Sequence, residues 1–313
     1  MEFIVKRTSD CTHEELVQMN DLFNSIFHRD RPLDVMVNQY NQNPLGYSYH
    51  SLIIDDGKIV GMNVYVPVFF LRDGEKILVS NSIDSMVSKP YRDFFNYNDM
   101  VLEAYKYMKK EGVKFAYGYP NDMAYPVVIK SKLMKEVGKM YTYCLPYRIG
   151  GVKKGLGWMN WASMAFCKCW LGVSSVFASS KVIPYRIAKD LESYNGTRYK
   201  RNDGEYSFGD GFVYKVINYE GIRTAFLIDV YEKSAKNFCK AVKYIFKKDG
   251  KNFDILLYPG YLRFANSGMV KIPHKFEPKH FVLTAKLLDK SLKFDGFWDI
   301  NNWDTNLSNY DLI

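Results

Sequence analysis

The stretch from residue 81 to residue 125 constrains the fold more than any other part of the sequence. It predicts a strand, a turn around Pro90, an amphipathic helix and a second strand ending at Tyr119. In a strand–turn–helix–strand unit, the backbone N–H groups at the start of the helix face the turn, where phosphate binds readily. The sequence therefore predicts an α/β domain with a candidate anion site at this turn.

The segments around this unit predict the rest of one sheet. Residues 13–27 have helical apolar spacing behind a capping box of Thr12 and Glu15. Two β-rich segments flank the hairpin turn Asp56-Gly57, and a third strand at 77–87 completes an antiparallel meander. After the unit we expect a helix at 125–135. A last strand at 140–146 is expected to close the same sheet.

The second half of the chain repeats this order in shorter form. Residues 212–230 predict a hairpin, 234–247 an amphipathic helix and 254–258 a strand. An internal repeat of a whole domain accounts for a length of 313 residues. We therefore predict an N-terminal domain at 1–150, a linker at 151–190 and a reduced C-terminal domain at 191–313.

The linker contains an unusually apolar segment, residues 155–180. It holds three tryptophans, and Lys168 is its one charged residue before the chain reaches Lys181. A membrane-spanning helix needs about 20 apolar residues, and the glycines, serines and lysine of this segment argue against one. The sequence favours a buried linker helix. The alternatives are an interfacial helix, with peripheral membrane contact through 155–180, and a true span.

Composition limits the partners and the compartment. The net charge of +9 favours an anionic partner such as a nucleotide cofactor, nucleic acid or a lipid surface. The basic residues are spread along the chain, as on a solvated lysine-rich surface, so we expect no DNA binding. The charged start of the sequence does not resemble a signal peptide, which predicts a cytoplasmic protein with reduced thiols.

The sequence predicts no metal site. Among the five cysteines only Cys167 and Cys169 are close together, and a single C-x-C pair is a poor zinc site. The five histidines show no metal-ligand spacing, and His274 and His280 are expected in a surface loop.

Several short motifs together resemble the GNAT superfamily of N-acetyltransferases, especially its two-domain bacterial members. They are the hairpin Asp55-Asp56-Gly57 with Gly61, Met86-Val87 before Pro90-Tyr91-Arg92, Gly112-Val113, and Gly118-Tyr119-Pro120-Asn121. The resemblance is good over residues 51–147 and weak over the second half. It implies an α/β (α+β) fold of tandem GNAT-like domains, each a mixed splayed sheet flanked by helices. It also implies that acetyl-CoA or another acyl-CoA binds in the splay.

The resemblance assigns the cofactor-binding residues. The strand at Met86-Val87 would pair with pantetheine, and the turn would receive the diphosphate through Ser88, Arg92, Asp93, Phe94, Phe95 and Asn96. Tyr91-Arg92 match the family pattern, whereas Asp93, Phe95 and Tyr97 replace its glycines. Bulky side chains crowd a diphosphate and the charge of Asp93 opposes it. Arg92 would hold a phosphate or lie along the surface.

The resemblance also implies three catalytic candidates, Asn121, Tyr125 and the C-terminal carboxylate of Ile313. A family tyrosine often reprotonates the leaving thiolate. Ile129 occupies its usual place, so Tyr125 is the nearest substitute, with packing as the alternative. Asn121 would face the ligand or cap a helix. The carboxylate of Ile313, or Asp311, would act as a base unless the terminus is frayed.

These features lead to a predicted N-acyltransferase that moves an acyl group from acyl-CoA to an amine. By analogy with related bacterial proteins, the acceptor would be an amino sugar or a cell-envelope precursor. One alternative is a non-catalytic binding protein of the same fold that has lost acyl-CoA. Another is an aminoacyl-tRNA-dependent transferase, although tRNA is the less expected partner.

Overall fold

The computed structural model describes residues 1–200, 205–277 and 279–310, apart from the side chain of Phe94. The chain divides into two compact units. Unit 1 comprises Met1–Gly138, Arg186–Asp203 and Val282–Trp303, and unit 2 comprises Lys139–Tyr185, Gly204–Phe281 and Asp304–Ile313. These boundaries differ from the predicted 1–150, 151–190 and 191–313, because strands after residue 185 pair within the sheet of unit 1.

Strands and helices alternate along both halves of the chain. In chain order the strands are β1 (Glu2–Arg7), β2 (Tyr49–Asp55), β3 (Lys58–Arg72), β4 (Glu75–Val87), β5 (Phe115–Gly118), β6 (Lys135–Lys139), β7 (Tyr141–Leu145), β8 (Ile187–Lys189), β9 (Ser207–Gly209), β10 (Phe212–Tyr219), β11 (Ile222–Val230), β12 (Ile255–Gly260), β13 (Val270–Lys271) and β14 (Val282–Leu287). The helices are α1 (His13–Phe27), α2 (Leu33–Asn41), α3 (Phe94–Lys110), α4 (Ala124–Lys130), α5 (Ile149–Val152), α6 (Asn160–Val176), α7 (Leu191–Gly196) and α8 (Ala235–Asp249).

Unit 1 contains a mixed sheet in the order β1-β2-β3-β4-β5-β14-β6, with β8 also paired to β3. The first four strands form the expected antiparallel meander, and β5 then joins β4 in parallel. Helix α3 connects β4 to β5. It carries the chain back to the edge of the sheet where β4 begins, so β5 can run parallel to β4. The predicted mixed α/β fold is confirmed.

Helices cover both faces of this sheet. Leu52 packs with Met19 and Met36 of α1 and α2, whereas the next residue, Ile53, packs with Met100 of α3. Successive side chains of a strand point to opposite faces, so one apolar pair contributes to two separate cores. The predicted capping box at the start of α1 is confirmed, with Thr12 and Glu15 exchanging hydrogen bonds.

The centre of the sheet is splayed. The parallel ladder joins residues 80–82 of β4 to 116–118 of β5, but β4 continues to Val87. The β3–β4 register shifts between Met62 and Val64, and Asp84 in this region has a positive φ of 44°. β4 therefore bends where its ladder with β5 ends, which produces the predicted splay.

Unit 2 repeats the order of unit 1. Its sheet runs β13-β7-β12-β11-β10-β9, with β10 and β11 as an antiparallel hairpin and β12 parallel to β11 after α8. The predicted last strand of the first sheet was wrong in its location. β7 lies in unit 2, where Tyr143 and Leu145 face the same core as Tyr258.

Two predicted helices also differ from the structure. The helix expected at 125–135 ends at Lys130, since Lys132 adopts a left-handed backbone with φ 57° and β6 begins at Lys135. The linker helix is present as α6, inside unit 2, and buries Cys167 and Leu171 beside α8. Its outward side is exposed, so the prediction of a buried helix was half wrong. Among the described residues, none of the helices has both the length and the hydropathy that crossing a bilayer requires.

Candidate functional site

A cavity of about 470 Å³ lies in unit 1, where β4 runs past the end of its ladder with β5. Its walls come from the end of β4, the end of α1, the first turns of α3, and the segment from β5 into α4. Most of its surface is apolar, with Met86, Val87 and Phe27 among the lining residues. A mostly apolar cleft with a few polar groups is the usual form of a small-molecule site.

Five of the predicted site residues line this cavity, namely Met86, Val87, Arg92, Asp93 and Asn121. Ser88 and Asn96 lie in the adjoining turn, and Phe95 is 74% exposed to solvent. Of the remaining predicted groups, Tyr125 lies in a separate groove, whereas the side chain of Phe94 and residues Asp311 and Ile313 lie outside the described part of the structure.

Asp93 caps α3 with its own carboxylate. Asp93 Oδ1 accepts a hydrogen bond from the backbone N–H of Asn96 at 2.7 Å, and Oδ2 accepts one from Asn96 Nδ2 at 2.6 Å. The N-terminus of a helix attracts anions through its dipole and its N–H groups. In this protein the anion at that place is a side chain of the chain itself.

Other donors of the turn are also engaged. The backbone N–H groups of Ser88, Tyr91 and Arg92 donate to Val60 O, Ser88 O and Lys89 O. Arg92 Nε donates to Val87 O at 2.7 Å, which holds its guanidinium at the end of β4. These donors are therefore not available to a diphosphate in the family manner, because the N–H groups of Ser88, Tyr91 and Arg92 and the Nε of Arg92 already have acceptors within the chain. The bent end of β4 places Met86 and Val87 on the wall of the apolar cavity.

A pair of hydroxyl groups in the cavity was not predicted as functional. Ser85 Oγ donates a hydrogen bond to Tyr97 Oη at 3.1 Å, and both residues line the cavity. Burial raises the pKa of the Tyr97 hydroxyl, so the group keeps its proton at neutral pH. From the sequence, Tyr97 was noted only as a replacement of a family glycine. The available signal was its helical spacing with Val101 and Ala104, which places Tyr97 on the side of α3 that faces the sheet.

Tyr125 lies outside this cavity. It lines a separate groove with Glu136, to whose carboxylate its hydroxyl donates a hydrogen bond. That bond raises the pKa of Tyr125 to about 12. Asn121, in contrast, lines the cavity and also accepts hydrogen bonds from the backbone N–H groups of Met123 and Ala124. It thus holds the start of α4 against the site.

A partly buried polar cluster fixes β4 just before the cavity. Asp84 Oδ2 accepts hydrogen bonds from Tyr40 Oη at 2.6 Å and from Arg31 at 2.8 Å. Burial and the charge of Asp84 raise the pKa of Tyr40. Because Asp84 has a left-handed backbone and directly precedes Ser85, this cluster sets the bend that opens the splay.

Unit 2 contains a group of metal-ligand types that the sequence analysis missed. Ligand atoms of His274, Glu277 and His280 lie within 4.8 Å of one another. His274 Nδ1 is 2.5 Å from Glu277 Oε2, and Glu277 Oε1 accepts the backbone N–H of Thr142. The H-x-x-E-x-x-H spacing was the available signal, but the prediction of no metal site rested on the cysteines and histidines and left out Glu277.

The comparisons with known proteins concern the fold. No family model matches the chain, and no curated protein sequence matches it. A GCN5-related N-acetyltransferase from Anabaena variabilis ATCC 29413 aligns with a TM-score of 0.59 at 9% sequence identity. The alignment covers 92% of this chain and 73% of the Anabaena chain. A probable N-acyltransferase from Enterococcus faecalis V583 has a TM-score of 0.58 at 12% identity and covers 93% of this chain and 74% of its own. For Eis1 from Mycobacterium abscessus the TM-score is 0.54 at 9% sequence identity, and the alignment covers 92% of this chain and 74% of Eis1. The chain therefore has the fold of the GNAT N-acetyltransferases, as the sequence resemblance predicts.

Proposed function

We propose that this protein is an N-acyltransferase that uses the cavity of unit 1. The observation that carries the proposal is an open, mostly apolar cavity at the splay that contains the hydroxyl pair of Ser85 and Tyr97. The GNAT fold supports it by analogy, since this fold holds an acyl thioester beside the strand that corresponds to β4.

The reaction moves an acyl group from a thioester to an amine. The amine nitrogen attacks the carbonyl carbon of the thioester, and the carbon–sulfur bond then breaks so that sulfur leaves as a thiolate. Tyr97 gives its hydroxyl proton to that thiolate, and the proton lost by the amine passes to water at the open mouth of the cavity. A proton from this water then restores the Tyr97 hydroxyl, so that in sum one proton moves from the amine to the thiol. Ser85 orients the Tyr97 hydroxyl through their hydrogen bond.

The donor substrate we propose is acetyl-CoA or another acyl-CoA. Its acyl-pantetheine arm would lie along Met86 and Val87, whose side chains line the cavity. We assign no diphosphate contact to the start of α3, because Asp93 occupies that position. The acceptor we propose is a small amine, with an amino sugar or a cell-envelope precursor as the class suggested by analogy.

One observation favours a second function. The Asp93 carboxylate at the start of α3 places a negative charge where the diphosphate of acyl-CoA would sit. A protein of this fold that binds another ligand, and no acyl-CoA, would tolerate such a residue. Non-catalytic binding is therefore the alternative.

Calorimetric titration with acetyl-CoA and with CoA separates the two functions. The wild-type chain is compared with Asp93→Ser, which keeps a helix cap but removes the charge, and with Asp99→Asn, an exposed aspartate of the same helix. We expect binding by the wild type and binding by Asp93→Ser that is roughly two- to fivefold tighter, since a charge at a helix terminus is worth about 0.3–1 kcal/mol. Asp99→Asn should bind as the wild type does.

Release of free thiol from acetyl-CoA in the presence of a panel of amines tests the chemistry. Amine-dependent release by the wild type supports the transferase. If neither wild type nor Asp93→Ser binds CoA, the transferase is excluded. If only Asp93→Ser binds it, the binding-protein alternative is supported.

A further inference from the structure

The outward side of α6, together with the turn before it, is an apolar surface on unit 2. Trp158 is 73% exposed, Trp161 69%, Val176 78% and Phe177 69%. Phe166 and Trp170 are exposed as well, and their rings stack with centroids 6.3 Å apart. We call these six residues the aromatic face. Contiguous apolar surface with several tryptophans marks a contact site rather than ordinary solvated surface.

The opposite side of the same helix is already packed. Cys167, Leu171 and Ser174 are buried, and the first two belong to the core that includes α8. The helix is thus apolar on the side that faces the protein and also on the side that faces away from it. A helix with apolar side chains on both sides is typical of a buried helix. The exposed aromatic face is therefore a candidate contact surface.

The charge around the aromatic face indicates what covers it. Residues 137–189 contain eight lysines and arginines and no aspartate or glutamate. Lys153 and Lys154 precede the helix, Lys168 lies within it and Lys181 follows it, and all four side chains are exposed. A partner must therefore tolerate aromatic side chains and carry negative charge. A second copy fits poorly, since two such faces would bring lysines together without a carboxylate between them.

The aromatic residues themselves match a bilayer surface. Tryptophan is enriched at membrane–water interfaces, where an apolar ring with a polar N–H is favoured, and three of the five tryptophans of the chain belong to this face. Lysines that flank such a helix add attraction to anionic headgroups. We propose that the aromatic face docks in the plane of a membrane that contains anionic lipids, with α6 parallel to the surface and Trp158, Trp161 and Phe177 entering the headgroup layer.

Co-sedimentation of the full chain with vesicles tests this proposal. One set contains phosphatidylcholine with phosphatidylglycerol, and the other contains phosphatidylcholine alone. We expect binding to the anionic set, with a blue shift of tryptophan fluorescence, and much weaker binding to the neutral set. The double variant Trp161→Ser, Phe177→Ser should lose about tenfold or more in partitioning, since each ring would leave an apolar layer.

Matched variants separate docking from general effects. Phe276→Ser removes another aromatic ring of unit 2, 67% exposed, and should bind vesicles as the wild type does. Lys153→Gln and Lys154→Gln should each weaken binding to anionic vesicles roughly fivefold, whereas Lys251→Gln, an exposed lysine elsewhere, should not. All variants replace exposed side chains, so circular dichroism should show an unchanged fold.

Three results would overturn the proposal. The first is no binding of the wild-type chain to anionic vesicles. The second is binding that the Trp161→Ser, Phe177→Ser variant retains in full. The third is a dimer in solution that this same variant dissociates, which would make a second copy the occupant of the aromatic face.

Discussion

The two units share one order of elements but use the space beside their central strands differently. Ser85 on β4 and Asp229 on β11 each lie five residues past the start of the parallel ladder, at Ser80 and Thr224. In unit 1 the side chain of Ser85 faces an open cavity. In unit 2 Asp229 is fully buried and accepts hydrogen bonds from Lys233 at 2.6 Å and Asn306 at 2.7 Å.

The segment after residue 303 explains the difference. In unit 2 Gly260 at the end of β12 forms an antiparallel bridge with Asn306, and the backbone N–H of Tyr261 donates to Thr305 O. The chain itself thus adds a short strand-like piece at the end of β12, beside buried Asp229. A repeated architecture therefore offers a ligand site only where the chain leaves this space open.

The caps of the helices that follow β4 and β11 differ as well. Ser234 caps α8 and accepts from the backbone N–H of Asn237 at 3.2 Å, whereas Asp93 caps α3 in the same way at 2.7 Å. Both side chains complete the first turn of a helix. Only the cap beside the open cavity carries a charge, and that charge decides which anions can approach it.

The strongest test of the filled space beside β11 in unit 2 is Lys233→Met. Lys233 pairs with Asp229 and, at 3.2 Å, with Asp304, and burial opposes its charge while these carboxylates raise its pKa above the usual range. Removing the lysine takes away the positive charge that faces the buried carboxylates of Asp229 and Asp304, so we expect a loss of about 3–5 kcal/mol in the free energy of unfolding. Urea denaturation measures it.

Lys240→Met is the matched control, on helix α8, which begins two residues after Lys233. Its ion pair with Asp210 is exposed, so the free energy of unfolding should change by less than about 1 kcal/mol. Equal stability of Lys233→Met and the wild type would show that the network does not hold unit 2 together.

In the open splay, Tyr97→Phe tests the chemistry. Loss of a general acid typically lowers the rate by about a hundredfold or more, so kcat should fall by that factor while KM for acetyl-CoA changes little. Tyr125→Phe serves as the control, because Tyr125 lies outside the cavity and should leave kcat unchanged. The opposite pattern, a large effect at Tyr125 alone, would return the proton-donor role to the residue predicted from sequence.

The smallest expected effect concerns the caps. Asp93→Ala should destabilise the protein by about 0.5–2 kcal/mol, because the N–H of Asn96 loses its acceptor. Asp93→Ser, which gives α3 the cap that α8 has, should stay within about 0.5 kcal/mol of the wild type, since serine and aspartate cap equally well. Chemical denaturation of the wild type, Asp93→Ala and Asp93→Ser measures the free energy of unfolding of each. A serine variant as unstable as the alanine variant would mean that the charge itself supports the helix.

Local signals predicted much of the fold. The hairpin turn Asp56-Gly57 has positive φ at both residues, 46° and 75°, as the two-residue turn requires. The helix predicted at 13–27 has those same bounds in the structure. Such features depend on residues close in sequence, so they can be read from the chain.

Long-range pairing could not be read in the same way. The apolar alternation of β7 predicts a strand but does not name the sheet that it joins, and its partners Leu256 and Val270 lie more than a hundred residues away. The site shows the same limit. Of the residues that the motif assigned to cofactor binding, Met86, Val87, Arg92 and Asp93 line the cavity. The direction of the Asp93 carboxylate and the proximity of Tyr97 to Ser85 depend on the folded turn and could not be read from the motif.

The position of β14 in the first sheet has a consequence for synthesis of the protein. β14 lies between β5 and β6, and its residue Thr284 pairs with Gly118. On the ribosome, the sheet of unit 1 cannot be completed until β14 has emerged, so the edge of β5 stays unpaired until then. Contacts so distant in sequence slow folding and leave that edge available for wrong pairing. Expression of residues 1–150 alone would therefore yield an unfinished sheet rather than an independent catalytic domain.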